Sequence, residues 1–272
     1  MLNHNAKKHV PQERLSMKNI IFIHGMFQNP KSWNNWKEYF TRKGYNCIIP
    51  AWPFHEGEPA ALRQSPPAGL GDLHLDDIII PIETLALETE QPIIIGHSVG
   101  GLIAQLLINR GVGIAAVAIS PIAPNAMLDF DWGFLKNSAL ITNPFKGNEP
   151  FFMYEKTFHT SFANTLTEQE SNAAHREFAT YDSRNVLRDC MGTAGEMDLE
   201  LPHPPLLLIA AEKDQIIPNT LVKKNFEGYT DATSITTFHD FPNRSHYICG
   251  EPGWEEVAAY VAAWLDRIPT QK

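Results

Sequence analysis

One short stretch limits what this chain can fold into more than any other: Gly96-His97-Ser98-Val99-Gly100. It follows the apolar run 92–95 without a break and opens a periodic apolar pattern at Val99, Leu102, Ile103, Leu106 and Leu107. A strand that turns directly into a helix through G-x-S-x-G must carry its serine on strained backbone, with the hydroxyl lifted above the sheet edge. Side chains at positions 96 and 100 would collide with neighbouring backbone, so glycine is needed there, and Gly101 adds room. The helix N-terminus then turns backbone N–H groups and a positive dipole end toward the same point. The stretch therefore predicts a nucleophile elbow with Ser98 at its tip.

A serine hydroxyl is a weak nucleophile and needs a base beside it. Of the 11 histidines, His246 lies in the polar stretch 241–247, after the last predicted strand and before a C-terminal helix. A loop there can reach the serine. His24 and His97 sit at strand ends and read as packing or supporting residues, while His159, His175 and His239 read as structural or solvated. The carboxylate that orients the imidazole is expected from Asp214, just past the apolar run 206–211. Glu212 competes with it but stands closer to the strand. For the developing oxyanion, one donor is the backbone N–H of Val99; the second is expected from the loop His24-Gly25-Met26-Phe27, through Met26 or its neighbour Phe27. Asn29-Pro30 then reads as the N-cap and first position of a helix that places Trp33, Trp36 and Phe40 on one face.

Around these residues short apolar runs alternate with amphipathic stretches. Strands are expected at 20–24, 47–51, 92–96, 115–120, 206–211 and 235–238. Most lack period-2 alternation, which marks strands covered on both faces and hence a parallel sheet. Helical spacing recurs in Leu75, Ile78, Ile79, Ile82, Leu85 and Ala86, with Pro81 early in the helix, and in Trp254, Val257, Ala258, Val261 and Leu265. The pattern is an α/β, mostly parallel, doubly wound sheet. Residues 121–204 break the rhythm, because a crossover needs only a dozen or so residues. That insertion holds a helix expected over 167–181, opened by the capping-box pattern Thr167-Glu168-Gln169-Glu170. It also holds many aromatic side chains, which read mainly as a small core of their own and partly as the apolar underside of a lid. Such a lid should tune chain-length preference more than intrinsic reactivity. Substrate contacts are expected from Phe27, Trp52, Phe54, Trp132 and Phe158, with His55 close by. The division is then a tail (1–18), a core domain (19–120 and 205–272) and the lid (121–204).

Composition removes several functions. With 22 basic against 31 acidic residues the net charge is −9, the wrong sign for a general nucleic-acid binder. No apolar run approaches the length needed to span a bilayer. Three scattered cysteines and a polar start without an apolar leader suggest a cytoplasmic protein. No metal-ligand spacing, phosphate-binding loop or cofactor motif is present, so no metal and no cofactor are expected, and the partner is a small-molecule substrate.

Taken together, these residues resemble the α/β-hydrolase superfamily, and in particular its lid-bearing serine esterase and non-haem haloperoxidase-like branch, over 19–268. The order Ser98, Asp214, His246 is that of the superfamily. The resemblance implies an α/β-hydrolase sheet with a helical lid, lacking the first antiparallel strands because so few residues precede His24-Gly25. It also implies cleavage of a small lipophilic carboxylic ester through an acyl-serine intermediate. Ser98 stands where haloalkane dehalogenases and most epoxide hydrolases of the superfamily carry aspartate, which counts against an alkyl-enzyme ester. Perhydrolysis and carbon–carbon bond hydrolysis use the same groups and stay open, as does a ligand receptor built on a hydrolase fold.

Overall fold

The computed structural model describes residues 18–127 and 132–268; the side chains of Trp132 and Gly133 lie outside the described ones, as do residues 1–17 of the expected tail. Six strands form the main sheet: β1 (Asn19–Ile23), β2 (Asn46–Ile48), β3 (Ile93–His97), β4 (Ala115–Ile119), β7 (Leu206–Ala211) and β8 (Thr236–Phe241). Their order is β2-β1-β3-β4-β7-β8, and every pairing is parallel. Two further strands, β5 (Phe151–Phe152) and β6 (Tyr181–Asp182), pair antiparallel in a separate ribbon. Among the described residues no strand precedes β1.

Each main strand sends alternate side chains into two separate cores. Ile21, Ile23, Ile94, Ala116, Leu206 and Leu208 face one; Ile20, Phe22, Ile93, Ile95, Val117 and Leu207 face the other. That is why the strands read as unbroken apolar runs: both faces are covered. Helices α1 (Asn34–Arg42) and α10 (Trp254–Leu265) cover the second face, through Trp36, Phe40, Val257 and Val261. On the first lie α3 (Leu75–Glu88), α4 (Val99–Asn109) and α9 (Asn219–Gly228), with α2 (Pro59–Gln64) packing against the insertion. Asn29 caps the entry to α1 as expected, its side chain accepting from Lys31 N, although the first turn, Pro30–Trp33, is 3-10.

The insertion carries α5 (Trp132–Thr142), α6 (Glu155–Thr157), a π-helical turn (Phe158–Phe162), α7 (Glu168–Phe178), α8 (Arg184–Cys190) and the β5–β6 ribbon. The capping box at α7 forms in full, but the helix stops at Phe178, because Tyr181 belongs to the ribbon. Pro81 also departs from expectation. It lies well inside α3, which starts at Leu75, and is tolerated on the exposed side of the helix. The last strand runs to Phe241, past the expected end at 238, since His239 stacks on Tyr260 and Asp240 accepts from Asn219. The second strand is shorter than expected and ends at Ile48. No helix among the described residues is long and apolar enough to cross a membrane.

The topology fixes where a ligand can sit. Strand order reverses between β1 and β3, and in open α/β sheets ligands bind beyond the carboxyl ends of the strands at such a point. Two loops meet there: 24–29 after β1 and the serine turn after β3. The capping box offers a check on the insertion. Thr167→Ala removes the acceptor for Glu170 N and should cost about 1 kcal/mol, lowering the thermal midpoint by roughly 2–4 °C.

Candidate active site

Ser98 links β3 to α4 with φ 57° and ψ −119°, a combination that ordinary side chains avoid. Its own N–H still pairs with Ile119 O at 3.0 Å, and its carbonyl accepts from Gly101, Leu102 and Ile122. The strained residue is thus held on both sides. A Cβ on Gly96 would strike the Gly100 carbonyl oxygen, and one on Gly100 the Ile23 carbonyl oxygen. These are backbone atoms that cannot move aside, so the expectation for both glycines is met.

His246 and Asp214 come together from the neighbouring loops after β8 and β7, which the register Ala211↔Phe241 brings side by side. His246 Nδ1 lies 2.7 Å from Asp214 Oδ2, and both residues are buried. A carboxylate can only accept here, so with a neutral imidazole the proton sits on Nδ1 and Nε2 keeps its lone pair. The other oxygen of Asp214 accepts from Ile216 N and Ile217 N, both at 2.8 Å. Glu212 turns elsewhere, to Asn243 N and Lys213 Nζ, and those hydrogen bonds hold its carboxyl below the usual range. His97 supports the same loop: its Nε2 donates to the His246 carbonyl at 2.8 Å.

The loop after β1 presses against the serine. A Cβ on Gly25 would come within 2.8 Å of Ser98 Cβ. Phe27 adopts φ 64°, and its N–H donates to Asp182 Oδ2 at 3.0 Å. That amide is taken and is not free to point into the cavity. Val99 N–H belongs to the first turn of α4, whose amides have no partner within the helix.

Ser98, Val99, His246, Met26 and Phe27 line one apolar cavity, whose empty space with its open mouth is about 700 Å³. The insertion supplies much of its wall through Phe134, Ile141, Met153, Phe162 and Leu187, with Asn137 and Ser138 as polar points. Of the four expected substrate contacts whose side chains are described, only Phe27 lies on this wall. Trp52 is fully buried and stacks on His24 at 4.4 Å. Phe54 is partly exposed and lies against Gly69. Phe158 stacks behind Phe162, with ring centroids 4.8 Å apart. The side chain of Trp132 falls outside the described residues. Nothing in the local pattern of Met153, Phe162 and Leu187 distinguishes a side chain facing a cavity from one facing a core. Among the described residues no cluster of His, Cys, Asp or Glu is placed to hold a metal ion.

The sequence matches the model of the alpha/beta hydrolase family over residues 20–260. Comparison with curated proteins finds no match. Among solved structures, polyneuridine aldehyde esterase superposes with a TM-score of 0.66 at 14% identity, covering 92% of this chain and 100% of that one. A monoacylglycerol lipase from Paleococcus ferrophilus gives 0.66 at 18% identity, covering 91% and 93%. A pyrethroid hydrolase from Sphingobium faniae JZ-2 gives 0.67 at 18% identity, covering 93% and 98%. At these identities the likeness is one of fold.

Three buried histidines around the site make stability depend on pH. Burial, then the nearby His55, pulls His24 down to about 3. Burial, then His246, holds His97 well below its ordinary value. Burial also pulls on His55, but the Asp182 carboxylate outweighs it and the imidazole is raised. An unfolded chain takes up protons near pH 6.5 that folded His24 and His97 refuse. Their contribution is therefore complete above that value and lost as pH falls, by up to about 1.4 kcal/mol per pH unit each. His55 has the opposite sign: its contribution is present below 6.5 and lost as pH rises through its raised value. Urea denaturation should show lower stability at pH 5.5 than at 7.5. His24→Gln, which keeps a donor for the Gly25 carbonyl, should narrow that difference.

Proposed function

Because this chain belongs to the alpha/beta hydrolase family, we propose that it is a serine hydrolase that cleaves a small lipophilic carboxylic ester through an acyl-serine intermediate. The observation that carries this reading is the buried 2.7 Å pair of His246 and Asp214, which opens on the same cavity as the strained Ser98. Ser98 Oγ adds to the ester carbonyl carbon while His246 Nε2 takes the hydroxyl proton. The carbonyl electron pair becomes an oxyanion, held by the amides of Met26 and Val99; each such donor is worth about 3 kcal/mol in the transition state. Collapse expels the alcohol, which receives the proton from His246. Water then repeats the sequence on the acyl-serine and releases the acid.

The apolar wall favours a lipophilic substrate, and the net charge of −9 favours a neutral one over an anion. An esterase and a lipase among the structural relatives fit the same class. Residues 121–204 act as the lid, since their side chains close one side of the cavity.

Kinetics on p-nitrophenyl butyrate check the roles. Ser98→Ala should abolish turnover with the fold intact. Asp214→Asn should lower kcat about 10³–10⁴-fold, because the imidazole loses the group that fixes its tautomer. Glu212→Gln should leave kcat nearly unchanged; a severe loss there with a mild Asp214→Asn would reassign the acid.

A further inference from the structure

A second buried Asp–His contact lies beside the site, and no step above uses it. Asp182, in β6 of the insertion, is fully buried. Its Oδ2 accepts from Phe27 N at 3.0 Å and lies 3.4 Å from Nε2 of His55, itself buried in the loop after β2. Its Oδ1 accepts from Ser183 N at 2.8 Å. Two residues earlier, Thr180 N donates to Phe27 O at 3.0 Å. The peptides on both sides of Phe27 are therefore gripped by the insertion: one by a carboxylate, the other by a backbone amide. Phe27 needs that grip, because its φ of 64° lies in the left-handed region that an aromatic residue rarely enters. Its ring also packs on Phe151 of the same ribbon, at 5.6 Å.

We propose that Asp182 is a positioning residue for the oxyanion loop: its carboxylate, paired with His55, fixes the Phe27 peptide and so the direction of the adjoining Met26 amide. The role rests on the serine-hydrolase reading and goes beyond it, since it makes the insertion part of the apparatus that stabilises the transition state. His55 backs the carboxylate. Its ring stands 3.4 Å from the carboxylate, where it limits how far Asp182 can turn, and its Nδ1 is itself held by the Pro53 carbonyl.

The test compares Asp182→Asn, Asp182→Ala and His55→Gln with the native chain, using p-nitrophenyl butyrate and a trifluoromethyl ketone. In the ketone complex Ser98 Oγ adds to the carbonyl carbon, its proton passes to His246, and the carbonyl electron pair becomes a stable oxyanion. Asparagine keeps an oxygen that can accept from Phe27 N but lacks the charge. Asp182→Asn and His55→Gln should each lower kcat about tenfold with little change in KM, and weaken the ketone by the same factor, as expected when an oxyanion donor is misaimed rather than removed. Asp182→Ala should lose more, with asparagine recovering the difference. If Asp182→Ala does not fold, the isosteric asparagine variant decides. Asp182→Asn with native kcat and native ketone affinity, or with a change in KM alone, overturns the positioning role. A native chain inert toward the ester, or Ser98→Ala as active as native, overturns instead the hydrolase reading beneath it.

Discussion

At the β3–α4 junction the backbone has no freedom left. The α-carbon of Gly96 lies against the Gly100 carbonyl, that of Gly100 against the Ile23 carbonyl, and Ser98 between them is forced to φ 57°. A turn this tight can exist only where the flanking strands and helix are themselves held fast. Ile93, Ile94 and Ile95 are buried on both faces of the sheet, and α4 is apolar nearly all round because it is buried nearly all round. The strain at one serine is thus maintained by the two cores together. From the same turn follow the place of Ser98 on the cavity wall and the close approach of the loop after β1.

Three loops then converge because the sheet is parallel and in register. Ile23 stands beside Gly96, and Ala211 beside Phe241, so the segments that follow all leave from one edge. His246 is braced twice at that edge. Its imidazole is held by Asp214, and its carbonyl by His97. Behind it, the buried Glu251 accepts from Ser245 and from Thr165 of the insertion, tying the histidine loop to the segment that walls the cavity. With the Phe27–Asp182 contact, this gives the insertion a second task beside shaping the cavity: it anchors the loops on which the chemistry depends. The sequence implies a lid that tunes chain length more than reactivity; the proposed role of Asp182 would make residues 180–182 bear on reactivity too.

How far the sequence alone reached follows from the range of each signal. The central strands were legible because burial on both faces leaves an unbroken apolar run, and the elbow because its glycines are demanded by collisions within a few residues. Edge strands were less so. β8 carries His239 and Asp240 in its second half, and their partners, Tyr260 and Asn219, are recognisable only once the fold is known. Ser98, Asp214 and His246 were legible as candidates from chemistry and from their positions at strand ends. Cavity contacts were not, because whether Trp52 or Phe162 faces a void depends on distant packing: Trp52 turns inward onto His24, while Phe162 meets the ring of His246 at 5.0 Å. Asp182 carries no local mark at all, since its partner Phe27 lies 155 residues away in the chain.

The central claim is that Ser98 is a nucleophile activated by its surroundings, and covalent labelling addresses it most directly. The folded native chain is incubated with a fluorophosphonate, digested, and the modified peptide located by mass spectrometry. The account predicts one phosphonyl adduct, on Ser98, that forms quickly in native protein and is lost after denaturation or in His246→Ala. No adduct in the folded chain, or an adduct on a different serine, would contradict it.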